Sequence, residues 1–339
     1  MRKWIAIAAL LVLAAMPLLA AESDQRIQQA IALHDAGRYD EAIAIYKSVL
    51  ADEPSNASAV YELALTYHAK QDFASCRALL EPRINQPTRT PASLYVVLGN
   101  CLDGAGESDK AIATYRKGLK LAPDDDQLLY NLGISLSSRG LNNEARELLK
   151  REVRLRPAHA SGHLLLAKLF ADQNFRAAAV AEYLRFLVLE PDTARSKPAA
   201  QTLLQLLNQG VEQKDAKKIN VNIDPDSPKG EGDFSTFEMS MAIVSAGRFT
   251  EEDSKKSEFE RTRSQVAATI SILTELPATE NNHTANVNVP FFAKLAEEKL
   301  VDALAGLALS SLRLEGFDEW LKANRNEVVA VVTMARGAK

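Results

Sequence analysis

The sequence has no excess of positive charge: 40 lysines and arginines stand against 44 aspartates and glutamates, a formal net charge of −4. That excludes the broad basic field by which proteins hold nucleic acid or anionic lipid. Catalytic motifs are missing as well. There is no G-x-S-x-G, no H-E-x-x-H and no phosphate-binding loop. His159 and His163 stand four residues apart, but no third ligand lies at metal spacing. Asp224, Asp226 and Asp233 do not make a calcium loop, because Lys229 stands where glycine is needed and Ser235 where the bidentate glutamate is needed. The expectation is a chain without cofactor or metal, and not an enzyme.

Cysteine is nearly absent too, with two in the chain, Cys76 and Cys101. In an oxidising compartment they are candidates for a bridge; otherwise they are two small core residues. The sequence leaves both open. The compartment is suggested by the N-terminus. Arg2 and Lys3 precede an unbroken apolar run from Trp4 to Ala21, with Pro17 just before the small residues Ala20 and Ala21. That is the layout of a secretory signal, expected over 1–21. Leucine at Leu18 or Leu19 blurs the cut site, and the run approaches the ~18 apolar residues that span a bilayer. Membrane association is therefore expected only if the segment is retained. The two sequons, at Asn56 and Asn282, are inexpensive matches to a short pattern.

What is present in abundance is repetition. Ala42, Ala111, Ala145 and Ala179 each carry Tyr46, Tyr115, Leu149 or Tyr183 four residues later, and Pro54, Pro123, Pro157 or Pro191 twelve residues later. Their separations are 69, 34 and 34 residues, the first being two units plus one residue. Inside the third unit, Tyr95, Leu98, Gly99 and Leu102 fall at i, i+3, i+4 and i+7, one helical face. Gly106 opens a turn, and a second helix with Ala111, Tyr115, Gly118 and Leu119 runs to Pro123. The second unit is degenerate. Cys76 takes the alanine position, and Pro82 and Pro87 are expected to shorten or kink its second helix.

A period of 34 with small residues, an aromatic and a closing proline resembles the tetratricopeptide repeat family over residues 23–191. The resemblance implies an all-α fold, a right-handed superhelical solenoid of about five helix-turn-helix units (22–191). Its concave groove, lined by each first helix, would hold a protein or peptide partner. The groove positions that carry over include Tyr61, His68, Asn100, Tyr130 and Lys168. One subgroup clamps a C-terminal carboxylate with lysines, asparagines and an arginine. Asn100 and Asn131 match the asparagines, but Val96, Ser161 and Leu165 replace the cations, so that clamp is not expected.

Beyond Pro191 the period stops. A leucine-rich stretch around Leu203–Leu207 predicts a capping helix (192–216), and a turn-rich segment with a β-prone run at Ile219, Val221 and Ile223 predicts a linker (217–233). A smaller helical C-terminal domain is expected over 234–339. Ser235 and Glu238 read as a capping box, and single helices are expected over 251–276 and onward from Pro290. The functional expectation is a periplasmic, non-catalytic adaptor or scaffold, with no nucleic-acid partner. The alternatives are an assembly factor of an envelope complex, and an enzyme whose site lies in the C-terminal domain.

Overall fold

The computed structural model describes residues 21–85, 91–215, 218–222, 235–276 and 282–337. The expected signal segment, Pro87 and most of the expected linker lie outside them. The chain divides into two compact units, Met1–Leu141 and Asn142–Lys339.

Unit 1 is a run of antiparallel helix pairs: α1 over residues 21–35, α2 (Tyr39–Asp52), α3 (Ala57–Ala69), α4 (Phe73–Ile84), α5 (Ala92–Gly104), α6 (Ser108–Leu121) and α7 (Asp126–Ser138). Three of these helices, α3, α4 and α7, start at a side-chain cap. Asn56 accepts from Ala59 N, Asp72 from Ser75 N and Asp125 from Leu128 N. First helices stop at turns that require a left-handed backbone. Gly37, Gly106 and Gly140 all have positive φ, as glycine allows. The equivalent turns of the second and fifth units hold Gln71 (φ 63°) and Asn174 (φ 61°), so the turn recurs even where glycine does not.

Packing explains the small residues. Ala42 and Ala111 are fully buried, and so is Cys76, which occupies their place in the second unit. Gly99 accommodates the ring of Tyr115: a Cβ built there would lie 2.1 Å from the ring. Pro82 lies inside α4, which has 12 residues against 14 in α2 and α6, so this second helix is indeed cut short. Cys76 and Cys101 are joined in a disulfide that ties α4 to α5.

Unit 2 begins with α8 (Asn142–Leu155), α9 (Ala160–Asp172) and α10 (Arg176–Leu189), which carry the fourth and fifth repeat signatures. It continues through α11 (Ser196–Asn208), strands β1 (Val211–Asp215) and β2 (Lys218–Val221), α12 (Ser235–Gly247), α13 (Glu251–Ser254), α14 (Glu258–Thr274), a π-helical turn Thr284–Asn288, α15 (Val289–Glu297), α16 (Val301–Ala308), α17 (Phe317–Ala323) and α18 (Arg325–Ala335). Ile219 and Val221 of the β-prone run expected in the linker lie in strand β2, paired antiparallel with β1 in register Val211–Val221, and Ile223 lies outside the described residues. The helices from α10 onward, except the short α13, share one hydrophobic core, which reaches back to Ala160, Leu164 and Ala167 of α9. The compact units divide after Leu141. Every residue of α10 is buried, because α9, α11, α14, α16, α18 and the π turn all pack on it.

Two helix expectations change. The stretch 251–276 breaks at Lys255–Ser257, where Ser257 and Glu260 form the reciprocal capping box that starts α14. Glu238, near the start of α12, accepts from Arg176 at 2.6 Å in the interior. The helix after Pro290 is interrupted at Lys299, whose positive φ separates α15 from α16.

Candidate functional site

The groove candidates of unit 1 stand on the first helices of consecutive repeats. α3 packs on α5 and α5 on α7, so these helices form one row. Tyr61 on α3 and Tyr130 on α7 are half-buried, and Asn100 lies on α5 between those helices. Each tyrosine is thus partly accessible to solvent. Burial raises the Tyr61 phenol, reinforced by the neighbouring Glu62 carboxylate, so it stays a neutral hydrogen-bonding group. Glu62 is itself raised by burial, and the nearby His34 only partly offsets this. Ile134 on α7 is 40% exposed, and Leu65 on α3 is half-buried. The face thus combines aromatic, aliphatic and amide surface.

Asn100 is more constrained than a solvated groove residue. Its side-chain oxygen accepts from the Tyr115 hydroxyl at 2.7 Å. The same hydroxyl reaches Asp103, which also accepts from Ser135 of α7. A buried tyrosine of the second helix thus fixes two groove side chains of the first, and the Asn100 amide N–H groups are the part positioned to meet a ligand. On α1, the His34 ring nitrogen Nδ1 lies 2.9 Å from Thr66 Oγ1. Since the Thr66 hydroxyl donates to the Glu62 carbonyl, Nδ1 must be the donor here. His68 is half-buried at the end of α3, 5.8 Å from the Phe73 ring, and burial holds its pKa below the usual value. His68 is therefore an apolar-side neighbour of the α3–α4 turn more than an open groove contact. Lys168 lies on α9 of unit 2 and is exposed. Tyr61, Asn100 and Tyr130 thus fall on one row of helices in unit 1, and Lys168 belongs to the other compact unit.

Unit 2 holds a polar cluster that the sequence pattern did not single out. Glu182, in the middle of α10, is fully buried. Its two oxygens face His163 Nδ1 at 2.5 Å, His283 Nε2 at 3.0 Å and Asn288 Nδ2 at 2.6 Å. His163 Nε2 lies 3.0 Å from the Pro157 carbonyl, which can only accept, so that nitrogen carries hydrogen. A second proton is held between His163 Nδ1 and the carboxylate. Burial alone would raise Glu182, but the His163 charge and the hydrogen bonds from His163 and His283 outweigh it and hold the carboxyl well below its usual range. This cluster joins α9, α10 and the π turn. His163 is a fully buried packing residue with a charged partner. Asn282 is 3% exposed and caps Ala285 N, so its sequon is not an accessible acceptor in the folded chain. Among the described residues no group of three or more His, Cys, Asp or Glu is placed to hold a metal ion, and no helix is long and apolar enough to cross a membrane.

Residues 33–92 and 96–160 each match a family model described as tetratricopeptide repeat. A curated relative, the protein CTR9 homolog of Arabidopsis thaliana, is 27% identical over 128 residues, which are 37% of this chain and 12% of that protein. The chain thus spans about an eighth of that relative's length. Among solved structures, a thermophilic repeat protein of this kind from Thermus thermophilus is 19% identical, covers 55% of this chain and 98% of its own, and superposes with a TM-score of 0.43. The pilF protein of Pseudomonas aeruginosa is 19% identical, with 56% and 91% coverage and a TM-score of 0.45. YrrB, named as a repeat protein with an unusual peptide-binding site, is 20% identical, with 52% and 89% coverage and a TM-score of 0.41.

Proposed function

From the premise that this chain is a tetratricopeptide-repeat protein, and so of a kind built for protein–protein contact, we propose that it is a periplasmic adaptor. Its partner is an extended peptide or a helix, laid across the first-helix row of α3, α5 and α7. The observation that carries this reading is the alignment of Tyr61, Asn100 and Tyr130 on adjacent helices, each partly accessible to solvent. Tyrosine offers large contact area with two rotatable side-chain bonds, so little entropy is lost on binding. The Asn100 amide is pre-oriented by Tyr115 and can donate to a peptide carbonyl. No basic field is needed, which agrees with the acidic balance of the chain.

Export is supported by the Arg2–Lys3 and Trp4–Ala21 pattern and by the buried disulfide, a bond that persists in oxidising compartments. The test is site-specific photo-crosslinking from positions 61 and 130 in the native envelope, followed by identification of the captured protein. Tyr61→Ala and Tyr130→Ala should each weaken that partner by about 1–2 kcal/mol. A partner that binds the double variant unchanged would remove the groove from the proposal. Full-length protein recovered from the cytosol with its N-terminus intact would remove the compartment.

A further inference from the structure

Unit 2 contains a cavity of about 450 Å3 that the repeat architecture does not require. Arg156, Arg185 and Arg336 line it together with His159, and Val287, Phe291 and Met334 form its apolar side. Among the described residues that line it there is no carboxylate side chain. An adjoining hollow shares Ala158, His159 and Arg336 and brings one acid, Glu190, which is already bonded to Arg195. Of the three arginines, Arg185 is buried while Arg156 and Arg336 are exposed, and a buried charge acts on an anion more strongly than one in water does. Such a wall is stabilised when an anion enters it.

Arg185 is the residue that marks this as more than a basic surface. It is 5% exposed, and its guanidinium stacks 3.9 Å over the centre of the Phe291 ring. Nη2 donates to the Pro157 carbonyl at 2.8 Å, while the buried Nε has no hydrogen-bond partner among the described residues. Burial lowers its pKa to about 10, with Glu182 opposing the shift, so the charge remains at neutral pH. Glu182 cannot serve as its neutralising partner in full, because both carboxylate oxygens are engaged by His163, His283 and Asn288. Arg185 thus brings a buried positive charge to the cavity wall, with part of its guanidinium already held by the Pro157 carbonyl and the Phe291 ring.

We propose that this cavity binds an organic anion. A carboxylate or phosphate headgroup is held by Arg185 and Arg336 with Arg156, and a short apolar body rests against Phe291, Val287 and Met334. Guanidinium forks match the oxygen geometry of either headgroup. The role is binding and not turnover: the wall offers no nucleophile, and His159 is bonded to Glu152 at 2.6 Å. The site is independent of the peptide groove, since all its residues lie in unit 2.

Isothermal titration calorimetry of the full chain tests it with three probes: N-acetylphenylalanine, phenyl phosphate and the uncharged N-acetylphenylalanine amide. At least one anion should bind with sub-millimolar affinity, and the amide should bind at least roughly tenfold more weakly than N-acetylphenylalanine if the carboxylate is the preferred head. Preference for phenyl phosphate assigns a phosphate head instead. Arg336 is exposed, so Arg336→Gln should keep the wild-type melting temperature while weakening the anion by roughly tenfold, and Arg156→Gln gives a second reading of the same loss. Arg139→Gln, in unit 1, should leave binding unchanged. The proposal fails if neither anion binds, if the amide and both anions bind equally, or if both Arg336→Gln and Arg156→Gln bind as the wild type does.

Discussion

Breaking the Cys76–Cys101 bond should be the most informative single perturbation of unit 1. The bond closes a segment of 25 residues between α4 and α5, within which Pro82 already shortens the helix. Cross-linking a loop of that length removes denatured-chain entropy that corresponds to about 3.5 kcal/mol at 25 °C. That is large against a usual domain stability of about 5–15 kcal/mol. The loss should be felt beyond its own repeat, because a repeat array is held by neighbour contacts and the bond spans the junction of the second and third units. The assay is urea unfolding followed by far-ultraviolet circular dichroism, on protein refolded with and without dithiothreitol. With a urea slope of about 1–3 kcal/mol per molar, the midpoint of the transition that reports unit 1 should fall by roughly 1–3.5 M. The double variant Cys76→Ala/Cys101→Ala should behave like the reduced protein. Position 76 is suited to alanine, since Ala42, Ala111, Ala145 and Ala179 fill the same place elsewhere and are fully buried. Coincident transitions for oxidised and reduced protein would refute the reasoning. So would a double variant that matched the oxidised form.

The left-handed turn at Gln71 should tolerate glycine better than glutamine, because a side chain there strains the backbone. Gln71→Gly should stabilise by about 0.5–1 kcal/mol after the extra freedom of the unfolded glycine is counted, and a destabilised variant in urea would contradict this. Ala111→Leu should overpack a fully buried helix contact and lower stability by about 1–3 kcal/mol, with an unchanged melting temperature as the contrary result. Glu182→Gln should destabilise by about 3–5 kcal/mol at neutral pH, since it leaves a buried imidazole proton without its carboxylate. The folded carboxyl is held below its ordinary value of 4.5, so its contribution is complete above that pH and is lost as pH falls through the depressed folded value. The gap between wild type and variant should therefore narrow only as the solution is acidified below pH 4.5, which denaturation at a series of pH values measures; a constant gap down to strong acid would argue against a carboxylate in the fold.

Residues whose roles are set locally were readable from the chain alone. The alanine, aromatic and proline positions repeat because each unit solves the same problem, a close helix–helix approach followed by a stop, and Ala111, Tyr115 and Pro123 serve it within one short stretch. Turns were legible where glycine stood and invisible at Gln71 and Asn174, where the neighbouring units enforce the same left-handed backbone on a residue that does not announce it. Two cysteines at unrelated repeat positions left the bridge open, since the proximity of Cys76 to Cys101 arises only when α4 packs on α5.

The rest was hidden because it depends on contacts between segments far apart in sequence. Glu182 and Arg185 stand on the face of α10 that the fifth repeat signature, with Ala179 and Tyr183, leaves unassigned. That face is covered by a further layer of helices, which leaves all of α10 buried. The partner of Glu182 at His283 lies 101 residues away, and Asn288 lies 106 residues away. No local period can encode such a pairing. The same covering layer places Phe291 over Arg185 and lines the cavity with Arg336, so the one repeat helix that looks most ordinary in sequence is where the C-terminal half attaches its charge. A solvent-facing charge pattern in the last unit of a repeat array, followed by a helical segment without the period, is therefore a reason to look for a buried polar contact there. Covering those charges without partners would be too unfavourable to leave the fold intact.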